Sequence, residues 1–188
     1  MKKTATELEG VFILEPAIYE DARGYFTETY NADVFEKLGL SLEFVQDNQS
    51  LSKEVGTIRG LHYQLKEKAQ TKVVRCLAGA IYDVAVDIRK GSPTFGQWVG
   101  VLLSEKNMRQ LVVPRGFAHG FCTLEPDTVV AYKVDNLYSP AHDRGIRFDD
   151  SNIGVVWPAA AAALSEKDRQ LPTLAQAEID FVYGEAQK

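Results

Sequence analysis

Val73-Val74-Arg75-Cys76-Leu77-Ala78-Gly79-Ala80-Ile81-Tyr82-Asp83-Val84-Ala85-Val86-Asp87-Ile88 is the stretch that decides the fold class. Its even positions are all apolar or aromatic, while the odd ones include Arg75, Gly79, Asp83 and Asp87. A period of two marks a strand with unlike faces. Gly79 falls mid-run, where glycine signals a turn or tight bend, so the stretch divides into two strands around Ala78 and Gly79. Similar short runs lie outward of it, at 11–15, 24–30, 44–52 and 57–64 before it and at 98–103, 109–113, 118–124 and 128–135 after it. Turn-forming clusters such as Gly91-Ser92-Pro93, Pro114-Arg115-Gly116 and Glu125-Pro126-Asp127 separate them. The pattern predicts an all-β sandwich, jelly roll or closed barrel. One short helix is expected over 32–38, with Asn31 as N-cap and Gly39 just past its end, and a second helical region in the tail after Leu164.

The chain has 188 residues, 45% of them hydrophobic and 25% charged. At roughly 150 residues per domain, one domain over 1–188 is expected. The two cysteines, Cys76 and Cys122, lack CxxC spacing, and no export signal precedes them. Reduced thiols in the cytoplasm are therefore expected. A net charge of −5 argues against a generic nucleic-acid binder, whose affinity comes from many phosphate contacts. No apolar run reaches the ~18 residues of a membrane span.

His62 stands in Arg59-Gly60-Leu61-His62-Tyr63-Gln64. Strict alternation puts Arg59 and His62 on opposite faces, so a shared site requires a bulge, and Gly60 is where the backbone accommodates one at least cost. The plain alternative is a core-edge histidine beside a solvated arginine. His119 closes a Pro114-Arg115-Gly116-Phe117-Ala118-His119 pattern like the second half of a metal-binding cupin signature, but the first half, an HxH pair with a following glutamate, is absent. A catalytic metal needs about three protein ligands. Tyr132 shares parity with Val130 and Val134, so its phenol is either an inward-facing proton donor or a packed ring with a satisfied hydroxyl. Ser165-Glu166-Lys167-Asp168 fits a capping box, which makes Asp168 a helix-start carboxylate by itself. Lys72 reads locally as a strand-edge charge, and Arg23-Gly24-Tyr25-Phe26-Thr27-Glu28 as a hairpin edge.

Together these segments resemble the dTDP-4-dehydrorhamnose 3,5-epimerase family, in that family's order and from the strand at Val11 to Asp168. The matching blocks are 23–28, Val45-Gln46-Asp47-Asn48-Gln49-Ser50, 59–64, Lys72-Val73-Val74-Arg75-Cys76, 83–89, Ser92-Pro93-Thr94-Phe95-Gly96, 114–121, Tyr132-Lys133 and 165–168. The resemblance implies a cupin-type jelly roll, a homodimer, no metal and no redox cofactor. It also implies a dTDP-linked 4-keto-6-deoxy sugar as substrate, inverted at C3 and C5 in the route to dTDP-L-rhamnose. Both carbons flank the C4 ketone, which acidifies their protons. On this resemblance His62 is the base, Asp168 its orienting partner, Tyr132 the acid and Lys72 the stabiliser of charge at O4. Arg59 and His119 fall at the sugar-diphosphate end. Arg23, Phe26, Glu28 and the run Gln46, Asp47 and Asn48 serve nucleotide recognition, partly across the dimer interface. Tyr138, Asp143 and Lys167 complete the substrate-binding set.

Two departures stand out. The family's usual His-Glu-Arg-Gly-Ile-Arg-Trp run is His142-Asp143-Arg144-Gly145-Ile146-Arg147-Phe148 here, so the contact at Asp143 is one methylene shorter, and Phe148 keeps aromatic bulk without an indole N–H. Rival readings are a single-centre epimerase of a related sugar, a non-catalytic sugar-nucleotide binder and a metal-dependent cupin.

Overall fold

The structure, a computed structural model, describes residues 1–185. In chain order its elements are β1 (Lys2–Ala5), β2 (Phe12–Glu15), β3 (Ile18–Asp21), β4 (Gly24–Thr27), α1 (Ala32–Lys37), β5 (Gln46–Ser52) and β6 (Ile58–Gln64). These are followed by β7 (Lys72–Ala78), β8 (Ala80–Asp87), β9 (Trp98–Ser104), β10 (Gln110–Val113), β11 (Phe117–Thr123), β12 (Thr128–Val134), β13 (Asp143–Gly145) and α2 (Glu166–Arg169). One sheet runs β1-β2-β10-β7-β12-β5 and the other β13-β6-β11-β8-β9, while β3 and β4 form a separate ribbon. Pairing between these strands is antiparallel throughout. The predicted all-β sandwich is what the chain forms.

Gly79 makes the turn expected of it, at φ +75°. A Cβ there would lie 2.6 Å from the Thr128 hydroxyl, so the position demands glycine both for conformation and for space. The turn carries the chain from one sheet to the other, and with this change the inward parity switches. In β7 the even residues Val74 and Cys76 face the inter-sheet core, whereas in β8 the odd residues Ile81 and Ala85 do. The even residues Val84 and Val86 lie on the outer face, buried beneath Ile146, Ile153, Leu174, Ile179 and Phe181. A strand covered on both faces is apolar on both parities, so the alternation in β8 does not mark an exposed side. Asp83, on its odd parity, is fully buried.

The other sheet is covered on its outer face by α1. Asn31 caps that helix, its side-chain oxygen accepting from the Asp33 and Val34 amides at 3.0 and 3.3 Å, and Gly39 follows it with φ +75°. Phe35 is buried against Leu14, Val73 and Val112, a burial worth about 1.5–3 kcal/mol. Tyr30 and Phe44 meet it edge-on, with centroids 4.9 and 6.1 Å away. This packing corrects two expected strands. The run from Gly24 ends at Thr27 and that before Ser52 begins at Gln46, because Tyr30 and Phe44 are recruited to the aromatic cluster rather than to a ladder. The tail helix is a single turn, and β1, β3 and β13 were not anticipated.

Candidate functional site

The bulge predicted at Gly60 places the site. His62 is paired with His119 and Arg59 with Phe121, so two residues of β6, Gly60 and Leu61, oppose the single Gly120 of β11. The extra residue cancels the parity difference, and Arg59 and His62 line one cavity of about 450 Å³ between the sheets. That volume is within the range of small-molecule sites. Gly60 has φ +131°, and a Cβ on it would meet the Gly120 Cα at 2.5 Å and the His119 carbonyl oxygen at 2.8 Å. The Arg59 side chain donates to the Ser52 hydroxyl and the Leu51 carbonyl, each at 3.0 Å.

His62 Nε2 lies 2.5 Å from Asp168 Oδ1. The carboxylate is almost fully buried, while the imidazole is 30% exposed to the cavity. Ser165 caps α2 by accepting from the Asp168 amide at 3.0 Å, so the local capping reading holds, yet the Asp168 side chain turns inward to the histidine. Burial acts to raise its pKa, but the hydrogen bond and charge of His62, the Ser165 contact and Lys167 outweigh this and hold the carboxyl below its usual range. An aspartate on Nε2 fixes the proton there and leaves Nδ1 as the basic nitrogen.

Tyr132 and Lys72 stand on the facing sheet, on β12 and β7, and line the same cavity. Burial raises the Tyr132 phenol pKa, and the nearby Asp143 charge adds to this against Arg59, so the phenol keeps its proton. Burial pulls the Lys72 ammonium down to about 8; Asp143 and Asp83 oppose the shift and Lys167 reinforces it. The result is a desolvated ammonium and a protonated phenol on one wall, across the gap from the His62 imidazole.

Lys167 lines the cavity, whereas Tyr138, Asp143, Gln46 and Asn48 are not in its lining. Asp143 Oδ2 accepts from the Tyr138 hydroxyl at 2.9 Å and pairs with the Lys167 ammonium. Gln46 accepts from the Tyr138 amide at 3.1 Å and donates to the Asn48 side chain at 2.8 Å. Asn48 pairs with Tyr132 across the ladder. Asp47 is not in the cavity lining: it bonds Lys133 at 2.9 Å and, with Asn48, Arg75 and Gln110, lines an adjoining depression that shares Gln49 and Tyr132 with the cavity. Arg23, Phe26 and Glu28 are likewise outside the cavity lining. Arg23 pairs with Asp21 on the exposed β3–β4 ribbon, Phe26 is 68% exposed, and Glu28 accepts from Asn31. Among the described residues, no three His, Cys, Asp or Glu side chains gather as a metal site. His62 and His119 each face a carboxylate of their own.

A sequence profile of the family described as dTDP-4-dehydrorhamnose 3,5-epimerase matches residues 5–176. The chain belongs to this family. A dTDP-4-dehydrorhamnose 3,5-epimerase of Sinorhizobium fredii is 51% identical over 174 residues, covering 92% of this chain and 89% of its own. The crystal structure of the Bacillus anthracis epimerase with TDP and pyrophosphate bound is 55% identical, with a TM-score of 0.90 over 92% of this chain and 98% of that one. A Legionella pneumophila epimerase in complex with dTDP-4-keto-L-rhamnose is 45% identical, with a TM-score of 0.89 over 93% of each chain. The sandwich described above is therefore the cupin-like fold of these epimerases, and the activity is that of an isomerase in dTDP-rhamnose biosynthesis.

Within the epimerase site, one residue escaped sequence reasoning. Asp83 bonds His119 Nε2 through Oδ1 at 2.8 Å, from a parity that the alternating pattern had marked only as polar. A signal was present in its position: a lone acid between Ile81 and Ala85, both core residues.

Proposed function

We propose that the chain inverts C3 and C5 of dTDP-4-dehydro-6-deoxy-D-glucose, giving dTDP-4-dehydro-L-rhamnose, with His62 as base and Tyr132 as acid. One observation carries this reading: His62, bonded to Asp168 of α2, projects from one sheet and Tyr132 from the other into the same cavity. A sugar ring between the walls presents opposite faces to the two groups. His62 Nδ1 takes the proton from a carbon beside the ketone, and the C–H electron pair moves to O4 as an enolate. The enolate then collapses, and the carbon takes a proton from the Tyr132 hydroxyl on the other face, with inversion. Tyrosinate and imidazolium return to their starting states by exchange with solvent. Lys72 supplies the cation for O4, a preorganised interaction worth about 2.7–4 kcal/mol. Asp168 orients the imidazole and stabilises its charged form. Arg59 and His119 hold the diphosphate end, where the planar arginine fork suits paired oxygens. The electron sink is the substrate's own ketone, so the reaction as drawn uses no metal and no redox cofactor.

The working unit in this proposal is a cytoplasmic homodimer. The β3–β4 ribbon pairs with neither sheet, and Tyr19, Tyr25 and Phe26 on it are each more than 60% exposed. A lone two-stranded ribbon is marginal in water, so a second copy is the partner that would cover these rings. It would also bring Arg23, Phe26 and Glu28 to a cavity that they do not reach in their own chain. Phe26 would stack on thymine and Glu28 accept its ring N–H. Tyr138, Asp143 and Lys167 then close the mouth.

Incubation with dTDP-4-keto-6-deoxy-D-glucose in D2O, without added metal, tests the chemistry. Deuterium at both C3 and C5 is expected. Label at one carbon alone would assign a single-centre epimerase, and none, despite binding, would overturn the catalytic reading. Mixing His62→Ala protein with an Arg23→Ala, Glu28→Ala variant tests the ribbon. Activity should reappear in mixed dimers, which carry one intact composite site.

A further inference from the structure

The five-stranded sheet carries a second histidine–carboxylate pair. His119 stands directly opposite His62 in the β6–β11 register and lines the same cavity. Its Nε2 lies 2.8 Å from Asp83 Oδ1. Asp83 projects from β8 between Ile81 and Ala85 into the inter-sheet core, with no exposed surface. Its second oxygen, Oδ2, is buried without a hydrogen-bond partner. Burying a half-satisfied carboxylate is costly, and a fitted apolar side chain is commonly as stable or more so. The charge is therefore not explained by packing. Asp83 does not line the cavity itself but bonds His119, which does, and its charge also acts on Lys72.

We propose that Asp83 is a positioning residue for the epimerisation: it holds the Nε2–H of His119, leaving Nδ1 as the nitrogen free to meet the sugar nucleotide. The two dyads thus have the same construction and different tasks. Asp168 serves the ring that removes the substrate proton, and Asp83 serves the ring that fixes where the substrate lies. This rests on the epimerase reading above. It adds that the geometry around His119 is set from the core before substrate arrives, as a preorganised site requires.

The nitrogen-15 signals of His119 report its tautomer directly and need no turnover. In the wild-type protein the Nε2–H form is expected near neutral pH, and in Asp83→Ala it should give way to a mixture. For Asp83→Asn, which keeps the shape, turnover should fall about 10- to 100-fold, the range typical when the partner orienting a functional histidine is lost. The same change made in a His119→Gln background should have little further effect. An Nδ1–H tautomer in the wild type, or an Asp83→Asn loss as large without His119 as with it, would overturn the proposal. If Asp83 variants fail to fold, the wild-type tautomer still decides. If the wild type does not turn over the dTDP sugar, the epimerase reading fails while the tautomer measurement continues to judge Asp83.

Discussion

His62 Nε2 and Asp168 Oδ1 lie 2.5 Å apart although 106 positions separate them in the chain. The contact depends on the bulge that turns His62 inward and on the single helical turn that presents Asp168. Replacing Asp168 by Asn leaves the shape but removes the charge and permits the wrong tautomer. Turnover should then fall by as much as about 10⁴-fold, as when a triad aspartate is neutralised, with KM for the dTDP sugar nearly unchanged. His62→Ala should abolish C3 and C5 deuterium exchange while dTDP binding persists. Exchange surviving in that variant would remove His62 as the base.

How far such a site is legible in sequence follows from what defines each part. The Gly60 bulge was readable because parity and a glycine are local facts. The Asn31 cap was readable for the same reason. Asp168 was half readable: its capping context is real, but the direction of its carboxylate is a long-range fact that entered only through family resemblance. Strands β1, β3 and β13 have no alternation of their own, and the burial pattern of Lys2–Ala5 and Ile18–Asp21 is almost wholly exposed. Their partners define them. Asp83 was missed because the parity rule assumes one wet face, and β8 has none.

Tyr132→Phe separates the two proton transfers. His62 would still abstract, so wash-out of the original C–H proton should continue from the starting face. Inverted product should fall by about 10²–10⁴-fold, the usual contribution of a placed acid. A variant that inverts normally would place the acid elsewhere.

In the proposed mechanism Lys72 trades stability for chemistry. Burial lowers its folded-state pKa to about 8 from a usual 10.5. Between those values the unfolded chain binds more protons than the folded one, so stability should rise with pH through this window. The cost of the buried ammonium is thus complete below about pH 8 and gone above about pH 10.5. Lys72→Met removes it, and at about 1.4 kcal/mol per pKa unit urea unfolding at pH 7 should show a gain of about 1–3 kcal/mol. Turnover should drop about 10²–10³-fold with the loss of the O4 cation. A Met variant that is both less stable and fully active would contradict the assignment.

Asp87 works in the opposite sense. It is buried and accepts from Arg89, Ser92 and Thr94, while Arg89 also lies over the Phe117 ring at 4.6 Å. Burial acts to raise the carboxyl's pKa, but these donors hold it below the usual value. The stabilisation is present above the unfolded-state pKa and is lost as pH falls through the lower folded value. Asp87→Ala should cost about 3–5 kcal/mol at pH 7, as expected for breaking a buried ion pair, and progressively less as the pH falls below the usual carboxyl range. An equal deficit at both extremes would mean that shape, not charge, holds the loop.

Gly60→Ala tests whether the bulge positions the site. The added methyl would meet the backbone of β11 at 2.5 and 2.8 Å, and neither the Gly120 Cα nor the His119 carbonyl can yield without prising β6 from β11. Arg59 and His62 share the cavity only through this irregularity, so the damage should fall on their relative placement. Turnover is expected to drop by more than the stability loss alone explains, with fresh shifts in the His62 and His119 ring signals. Gly91→Ala is the control. Gly91 has a similarly positive φ of +81° but nothing within 4 Å of the added Cβ, so it should lose about 1–2 kcal/mol for its backbone conformation and leave turnover intact. Equal effects on turnover from the two substitutions would show that the bulge matters to the fold and not to the chemistry. A loss confined to Gly60→Ala would tie catalysis to the one extra residue that puts Arg59 and His62 on the same wall.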